Sequence, residues 1–207
     1  EETAGAIRAE GHRAEAVACD LLEAEQCRRA VAATVDAFGA LHVLVNNAAI
    51  TDFTGVVETS EEEFDRIMRV NVRGCFLAMK FSTPEIARAG GGAIVNVSSL
   101  AALRSGAGSG VAYDTSKAAL LALTRNAAVT GAAQNVRVNC VLPGIINSTI
   151  LRRYLGDQEI DFAARIPAGR LGTPWEVAKA IVFLLSDDAA YVTGTELLVD
   201  GGAAALL

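Results

Sequence analysis

Lysine is scarce in this 207-residue chain. Lys80, Lys117 and Lys179 are the whole complement, and arginine supplies the rest of the 18 basic side chains. Against 24 acidic residues they leave a formal net charge of −6, with no basic stretch, which argues against nucleic acid as the main partner. Histidine is scarcer still. His12 and His42 stand too far apart in sequence to suggest a metal site, so no metal is expected. The four cysteines, Cys19, Cys27, Cys75 and Cys140, form no Cys-x-x-Cys pair. They fit a reducing compartment and core packing better than disulfides or zinc. No apolar run reaches the ~18 residues of a membrane span and no signal peptide is visible, so no membrane is expected and the expected location is cytoplasmic. A Gly-x-Ser-x-Gly elbow is also lacking, and neither histidine has a clear route to a serine, which leaves a serine hydrolase using Ser99 a poor reading.

What the chain does have is apolar side chains, 52% of the total, enough for a sizeable core. No internal repeat, low-complexity stretch or linker divides residues 1–207, so a single domain is expected. Helical and strand patterns alternate along it. Glu1 to Glu10 reads as a helix stopped by Gly11. Ala14 to Cys19 suits a short strand ended by Asp20, and Leu22 to Phe38 is a helix closed by Gly39. Leu41 to Val45 is a strand ending in Asn46-Asn47-Ala48-Ala49. Ser60 and Glu63 have the form of a capping box opening a long helix to Lys80, continuing to Arg88 with a break near Pro84. Strands follow at Ala93 to Val97, Val136 to Val141 and Glu196 to Val199. Helices run from Tyr113 to about Ala133 and from Pro174 to Leu185, with a short one near Ile150 to Leu155. Five strands alternating with helices imply an α/β fold, a doubly wound parallel sheet covered on both faces.

In such a sheet, ligands bind beyond the carboxyl ends of the strands. Asp20, Asn46-Asn47, Ser98-Ser99 and Pro143-Gly144 follow four successive strands. Each could be a cap or a turn by itself; together they favour a site. Nearby, Tyr113 and Lys117 lie four residues apart on a helix, stacked one turn from each other. A cation beside a phenol favours the phenolate, so the Tyr113 pKa is expected to fall toward the working range of a base. The plain alternative is a helix with one amphipathic Tyr and one surface Lys.

Asn46-Asn47-Ala48-Ala49, Asn71 in Asn-Val-Arg-Gly, Ser98-Ser99, Tyr113-x-x-x-Lys117, Pro143-Gly144, Thr193-Gly194 and Val199-Asp200-Gly201-Gly202 run in one order over almost the whole chain. In that combination the chain resembles the short-chain dehydrogenases/reductases, with their Rossmann-like fold. The resemblance implies an NAD(P)-dependent enzyme that interconverts an alcohol and a ketone by hydride transfer. Tyr113 would be the general acid/base, and Ser99 would hydrogen-bond the same substrate oxygen. Lys117 would hold the nicotinamide ribose and lower the Tyr113 pKa, and Asn71 would hold a water linking Lys117 to solvent. For NAD or NADP, Asp20 would accept from the adenine amino group beside the Leu21 amide. Asn47 and Ala48 would line the adenosine ribose. Beyond Pro143 and Gly144, the Ile146 backbone would meet the carboxamide. Ser148 would hydrogen-bond the carboxamide or pyrophosphate. Similar proteins form homodimers or homotetramers through the helices at 61–80 and 112–133.

Four departures qualify the resemblance, one of them Asp114 directly after the Tyr. No Gly-rich strand-to-helix turn of the pyrophosphate-binding kind stands near the start, and the run Gly106 to Gly110 falls elsewhere, before Tyr113. The chain begins at Glu1 in what reads as mid-helix, so its natural beginning is expected to lie upstream. The family's order then places two further strands between the one ending at Asp20 and the one ending at Asn46, and a gap or a detached Asp20 strand is expected there. Dinucleotide binding by this chain is accordingly expected to be weak, and the rival function is a non-catalytic remnant serving as a scaffold or binding subunit. Ala49 stands for the usual Gly, and the Ser99–Tyr113 spacing is one residue long, as an insertion in the loop would make it. For the substrate, Leu100, Leu103, Ile145, Leu151 and Leu155 suggest an apolar pocket. Arg104, Arg152 and Arg153 fit an anionic group or plain exposure.

Overall fold

The computed structural model describes residues 1–104, 110–149, 151–152 and 162–206. The Gly-rich run before Gly110 and most of the helix expected near Ile150 to Leu155 lie outside them. Helices α1 (Glu2–Ala9) and α2 (Ala24–Phe38) precede strand β1 (Val43–Asn46). Helix α3 (Glu61–Met68), a π-helical turn (Arg69–Gly74) and α4 (Cys75–Arg88) form one continuous rod leading to β2 (Gly92–Val97). Helix α5 (Val111–Gly131), β3 (Val136–Pro143), α6 (Pro174–Leu185) and β4 (Glu196–Val199) complete the order.

The four strands form one parallel sheet in the order β1-β2-β3-β4. Alternation along each strand divides the core in two. Ile94, Val136 and Val138 face α4 and α5, meeting Cys75, Met79, Ile86, Leu120 and Ala128. Val95 and Val141 point the other way, onto Val177 and Leu184 of α6. Helices thus cover both faces, as expected of a doubly wound sheet. Cys27, Cys75 and Cys140 are buried and all four cysteines are free.

Three expectations need correction. Ala14 to Cys19 has no regular structure and joins no ladder among the described residues, so the sheet has four strands rather than five. Glu15 to Ala18 are exposed, Val17 included, and no described strand lies beside them to complete their hydrogen bonds. β1 is accordingly paired on the β2 side alone. Pro84 does not break α4, which runs through it to Arg88. The buried Ser82 and Ile86 lock that turn against the core, and packing overrides the lost amide. Ser60 caps α3 by accepting from the Glu63 amide at 3.1 Å, but Glu63 turns its carboxylate to Arg66, so only half of that box forms. The reciprocal capping box appears instead at Thr173 and Glu176, with Pro174 opening α6.

Candidate active site

β2 ends at Val97, and the next two residues diverge. Ser98 is buried and donates to the Lys117 carbonyl at 2.7 Å, pinning α5 to the sheet. Ser99 faces the opposite way, caps a short 3-10 turn through the Ala101 amide at 3.1 Å, and lies beside the Tyr113 phenol, whose anion it favours. Ser99, Tyr113 and Lys117 share the wall of one cavity of about 600 Å³ at the carboxyl ends of the strands, with Pro143, Gly144, Ile146 and Ser148 around it. A second cavity, about 370 Å³, runs along β1 and carries Leu21 and Asn71. Asn47, Ala48, Val97 and Lys117 belong to both walls, so the two cavities adjoin and together make a trough with these residues between them.

Lys117 is 3% exposed and donates from Nζ to the Val97 carbonyl at 2.8 Å. Burial pulls its pKa down to about 8. Its Nζ sits 5.4 Å from the centre of the Tyr113 ring, over the face of the π-system. The expected acidification of Tyr113 is not what the structure gives. Burial pushes the phenol up from its ordinary value; the Ser99 hydroxyl opposes the rise and the Asp114 carboxylate adds to it. Sequence spacing gave the Tyr–Lys proximity but not the desolvation, which here outweighs it.

Asn71 sits in the π-helical turn, a wider coil that often marks functional positions. Both hydrogens of its side-chain amide are committed. Oδ1 accepts from the Ile50 amide at 2.9 Å, and Nδ2 donates to the Ile50 carbonyl at 2.8 Å and the Ser116 hydroxyl at 2.9 Å. Ser116 then donates to the Tyr113 carbonyl at 2.7 Å. Sequence reasoning passed over Ser116; its place just before Lys117, on the buried side of α5, was the available signal.

The remaining candidates divide. Asn46 donates from Nδ2 to Asn96 Oδ1 at 2.8 Å across the β1–β2 pair and lines the smaller cavity only, whereas Asn47 and Ala48 line both. Asp20 is exposed and lines neither cavity. Its Oδ1 accepts from the Leu22 amide at 2.9 Å, a turn closed before α2. Gly144 donates to the Val199 carbonyl at 3.0 Å, and a Cβ there would stand 2.7 Å from the Asp200 Cα, so only glycine lets these loops pass. Ile146 makes a single parallel bridge with Gly172 through the Ile145 carbonyl and the Asn147 amide. Its own amide and carbonyl therefore point to the other side. Ser148 accepts weakly from the Leu151 amide at 3.4 Å.

Ile145 and Leu151 line the larger cavity as expected, whereas Leu100 and Leu103 do not. Leu155 and Arg153 lie outside the described residues. Arg104 and Arg152 are occupied with the Ala203 carbonyl and Asn147. Ile50, Phe53, Phe162, Val177 and Ile181 complete an apolar wall that sequence reasoning missed. The apolar, all-round pattern of α6 was the one hint. Among the described residues no group of three His, Cys, Asp or Glu side chains gathers to hold a metal, and no helix is long and apolar enough to cross a membrane.

The donor set of the trough fits a nicotinamide dinucleotide. It offers a buried ammonium, amides and hydroxyls along a long, mostly apolar channel at the strand ends. Comparison with known proteins bears on the family. A family model described as enoyl-(acyl carrier protein) reductase matches residues 1–204. The chain is 39% identical over 201 residues to dehydrogenase/reductase SDR family member 4 of Oryctolagus cuniculus, covering 96% of this chain and 77% of that one. It is 42% identical over 195 residues to 2-(R)-hydroxypropyl-CoM dehydrogenase of Xanthobacter autotrophicus, covering 92% and 78%. Among solved structures, ElxO with NADP bound superposes with a TM-score of 0.84 at 34% identity, covering 90% of this chain and 76% of that one. A parallel sheet wrapped on both faces, a Tyr–Lys–Ser cluster at its strand ends and these relatives lead to one assignment: the chain belongs to the short-chain dehydrogenase/reductase family.

Proposed function

We propose that the chain is an NAD(P)-dependent oxidoreductase that interconverts a secondary alcohol and its ketone. The observation that carries this reading is the gathering of Ser99, Tyr113 and Lys117 on one cavity wall. Tyr113 gives a proton to the substrate oxygen in reduction and takes it back in oxidation. Ser99 hydrogen-bonds that oxygen and fixes its place. The dinucleotide, when bound, supplies hydride exchange with the substrate carbon. Leu21, Asn47 and Ala48 would hold it along the smaller cavity, and Lys117, Pro143, Gly144, Ile146 and Ser148 along the larger. Asp20 is proposed for the adenine amino group, alongside its turn-closing bond. Asn71 is proposed as the station that links Lys117 to solvent; both Nδ2 hydrogens are spent on Ile50 and Ser116, which leaves acceptor capacity on Oδ1 and the backbone to hold a water. Ile145, Phe53, Phe162 and Ile181 suit an uncharged, apolar substrate. The outer faces of residues 61–80 and 112–133 are proposed as a homo-oligomer interface.

The test is turnover of a panel of secondary alcohols with NAD and with NADP, followed by the near-ultraviolet absorbance of the reduced nicotinamide. Tyr113→Phe is expected to lower kcat by about 100-fold or more, the scale of lost acid/base catalysis. A variant that matches the parent sinks the proposal. Absence of both turnover and tight dinucleotide binding would favour the scaffold reading.

A further inference from the structure

The first turn of α5 has no cap of its own. Its N-cap is Gly110, which has no side chain, and the leading amides of a helix need acceptors from elsewhere. They find them some sixty residues upstream. Asp52 Oδ1 accepts from the Tyr113 amide at 2.9 Å, and Oδ2 accepts from the Ala112 amide at 3.4 Å. The Asp52 carbonyl accepts from the Gly110 amide and the Thr54 carbonyl from the Val111 amide, both at 3.0 Å. All four leading amides of the Tyr113 helix thus end on residues 52–54. Asp52 is 7% exposed, and its negative charge sits where the helix dipole favours one. The fit is close: a Cβ on Gly110 would lie 2.3 Å from the Asp52 carboxyl carbon.

The same loop is tied to α5 a second time, through Ile50, Asn71 and Ser116. It also forms part of the cavity wall through Asn47 to Thr51 and Phe53. We propose that Asp52 is a positioning residue. By holding the amide of Tyr113 itself, it sets where the phenol stands relative to Ser99 and to the loop that walls the site. An ordinary cap also takes the second and third amides of a helix, as Asp52 does, but here the third residue is the one that carries the phenol, so the cap and the reacting group are joined in one residue.

The inference rests on the proposed redox function, and three measurements keep the two separable. The first is kcat and KM of Asp52→Ala and Asp52→Asn for a secondary alcohol that the parent oxidises. Asp52→Ala is expected to lower kcat about 10- to 100-fold with KM changed less than about 3-fold, as a small misplacement of a reacting group does. Asp52→Asn keeps an acceptor for the Tyr113 amide but presents an amide nitrogen to Ala112, and is expected to recover most of the loss, to within about 3- to 10-fold of the parent. The second is exchange of the Tyr113 amide by NMR, which should speed up in Asp52→Ala beyond the change at other α5 amides. The third is ultraviolet titration of Tyr113 against a Tyr113→Phe blank, which should report a shifted phenol midpoint in Asp52→Ala. Exchange and titration need no turnover, so an inactive parent would count against the redox function while leaving the Asp52 role decided. Parent-like kcat in Asp52→Ala together with unchanged Tyr113 amide exchange overturns the inference, and if the Ala variant does not fold, Asp52→Leu, which also removes the acceptor but fills the space, is read by the same two outcomes.

Discussion

At the scale of single residues, the chemistry turns on a phenol and an ammonium that burial moves in opposite directions. Tyr113 is raised and Lys117 is lowered to about 8, so each is pushed toward its uncharged form. Alcohol oxidation needs the Tyr113 anion. Its pH–rate profile, measured by initial rates, is therefore expected to climb past the ordinary phenol range near 10 without levelling off, while ketone reduction holds level through neutral pH. A plateau of oxidation near pH 7 would contradict that. Lys117 also makes a statement about stability. Below pH 8 both folded and unfolded chains hold its proton, and the folded one bears the full cost of a buried charge. Between about 8 and 10.5 only the unfolded chain keeps the proton, so this contribution to stability improves as pH rises through that window. The cost is on the order of 3 kcal/mol at neutral pH, partly offset by the bond to Val97. Lys117→Met is expected to abolish turnover yet raise the thermal midpoint at pH 7 by about 2–6 °C, a gain that shrinks by pH 10. Scanning calorimetry at both pH values checks it; a lower midpoint at pH 7 contradicts it. The Tyr–Lys spacing was readable in the sequence because a helix fixes it. The direction of the Tyr113 shift was not, because spacing carries no information about how deeply a group is buried.

Among the elements, the rod from α3 through the π-helical turn to α4 decides how α2 and the Leu21 loop reach the trough. Gly74 closes the turn. A Cβ there would stand 2.9 Å from the Leu21 Cβ. Gly74→Ala is expected to displace Leu21 from the smaller cavity and cost about 1–3 kcal/mol, the scale of overpacking, read as a lower urea midpoint. An unchanged midpoint would show that the Leu21 loop gives way freely. Helix positions and the strands at β1 to β4 were legible because their apolar periods agree with the local propensity. Ala14 to Cys19 had the strand pattern but no neighbour, and a strand exists only as a pair. Pro84 misled in the other direction: a local rule predicted a break, and the core contacts of Ser82 and Ile86 overrode it.

For the molecule as a whole, the outer surface of the rod and α5 leaves Phe76 45% exposed beside Met68, Val72 and Leu123. This apolar strip agrees with the proposed interface between copies. Sedimentation is expected to show a dimer or tetramer that Phe76→Arg converts to monomer, since Arg69 and Arg73 already border the strip and a further buried cation there costs several kcal/mol. A monomeric parent protein would refute it. The trough itself could be placed from sequence, since parallel sheets put their ligands at one end; its apolar wall could not, because Phe53, Phe162 and Ile181 come from three separate segments that only the fold unites. The one-sided pairing of β1 has a last effect. Val43 and Val45 are 45% and 39% exposed beside a row of backbone groups that no described strand occupies. Such a border is a template for other chains, so concentrated solutions should slowly aggregate there first, and a lysine in place of Val43 should keep them clear.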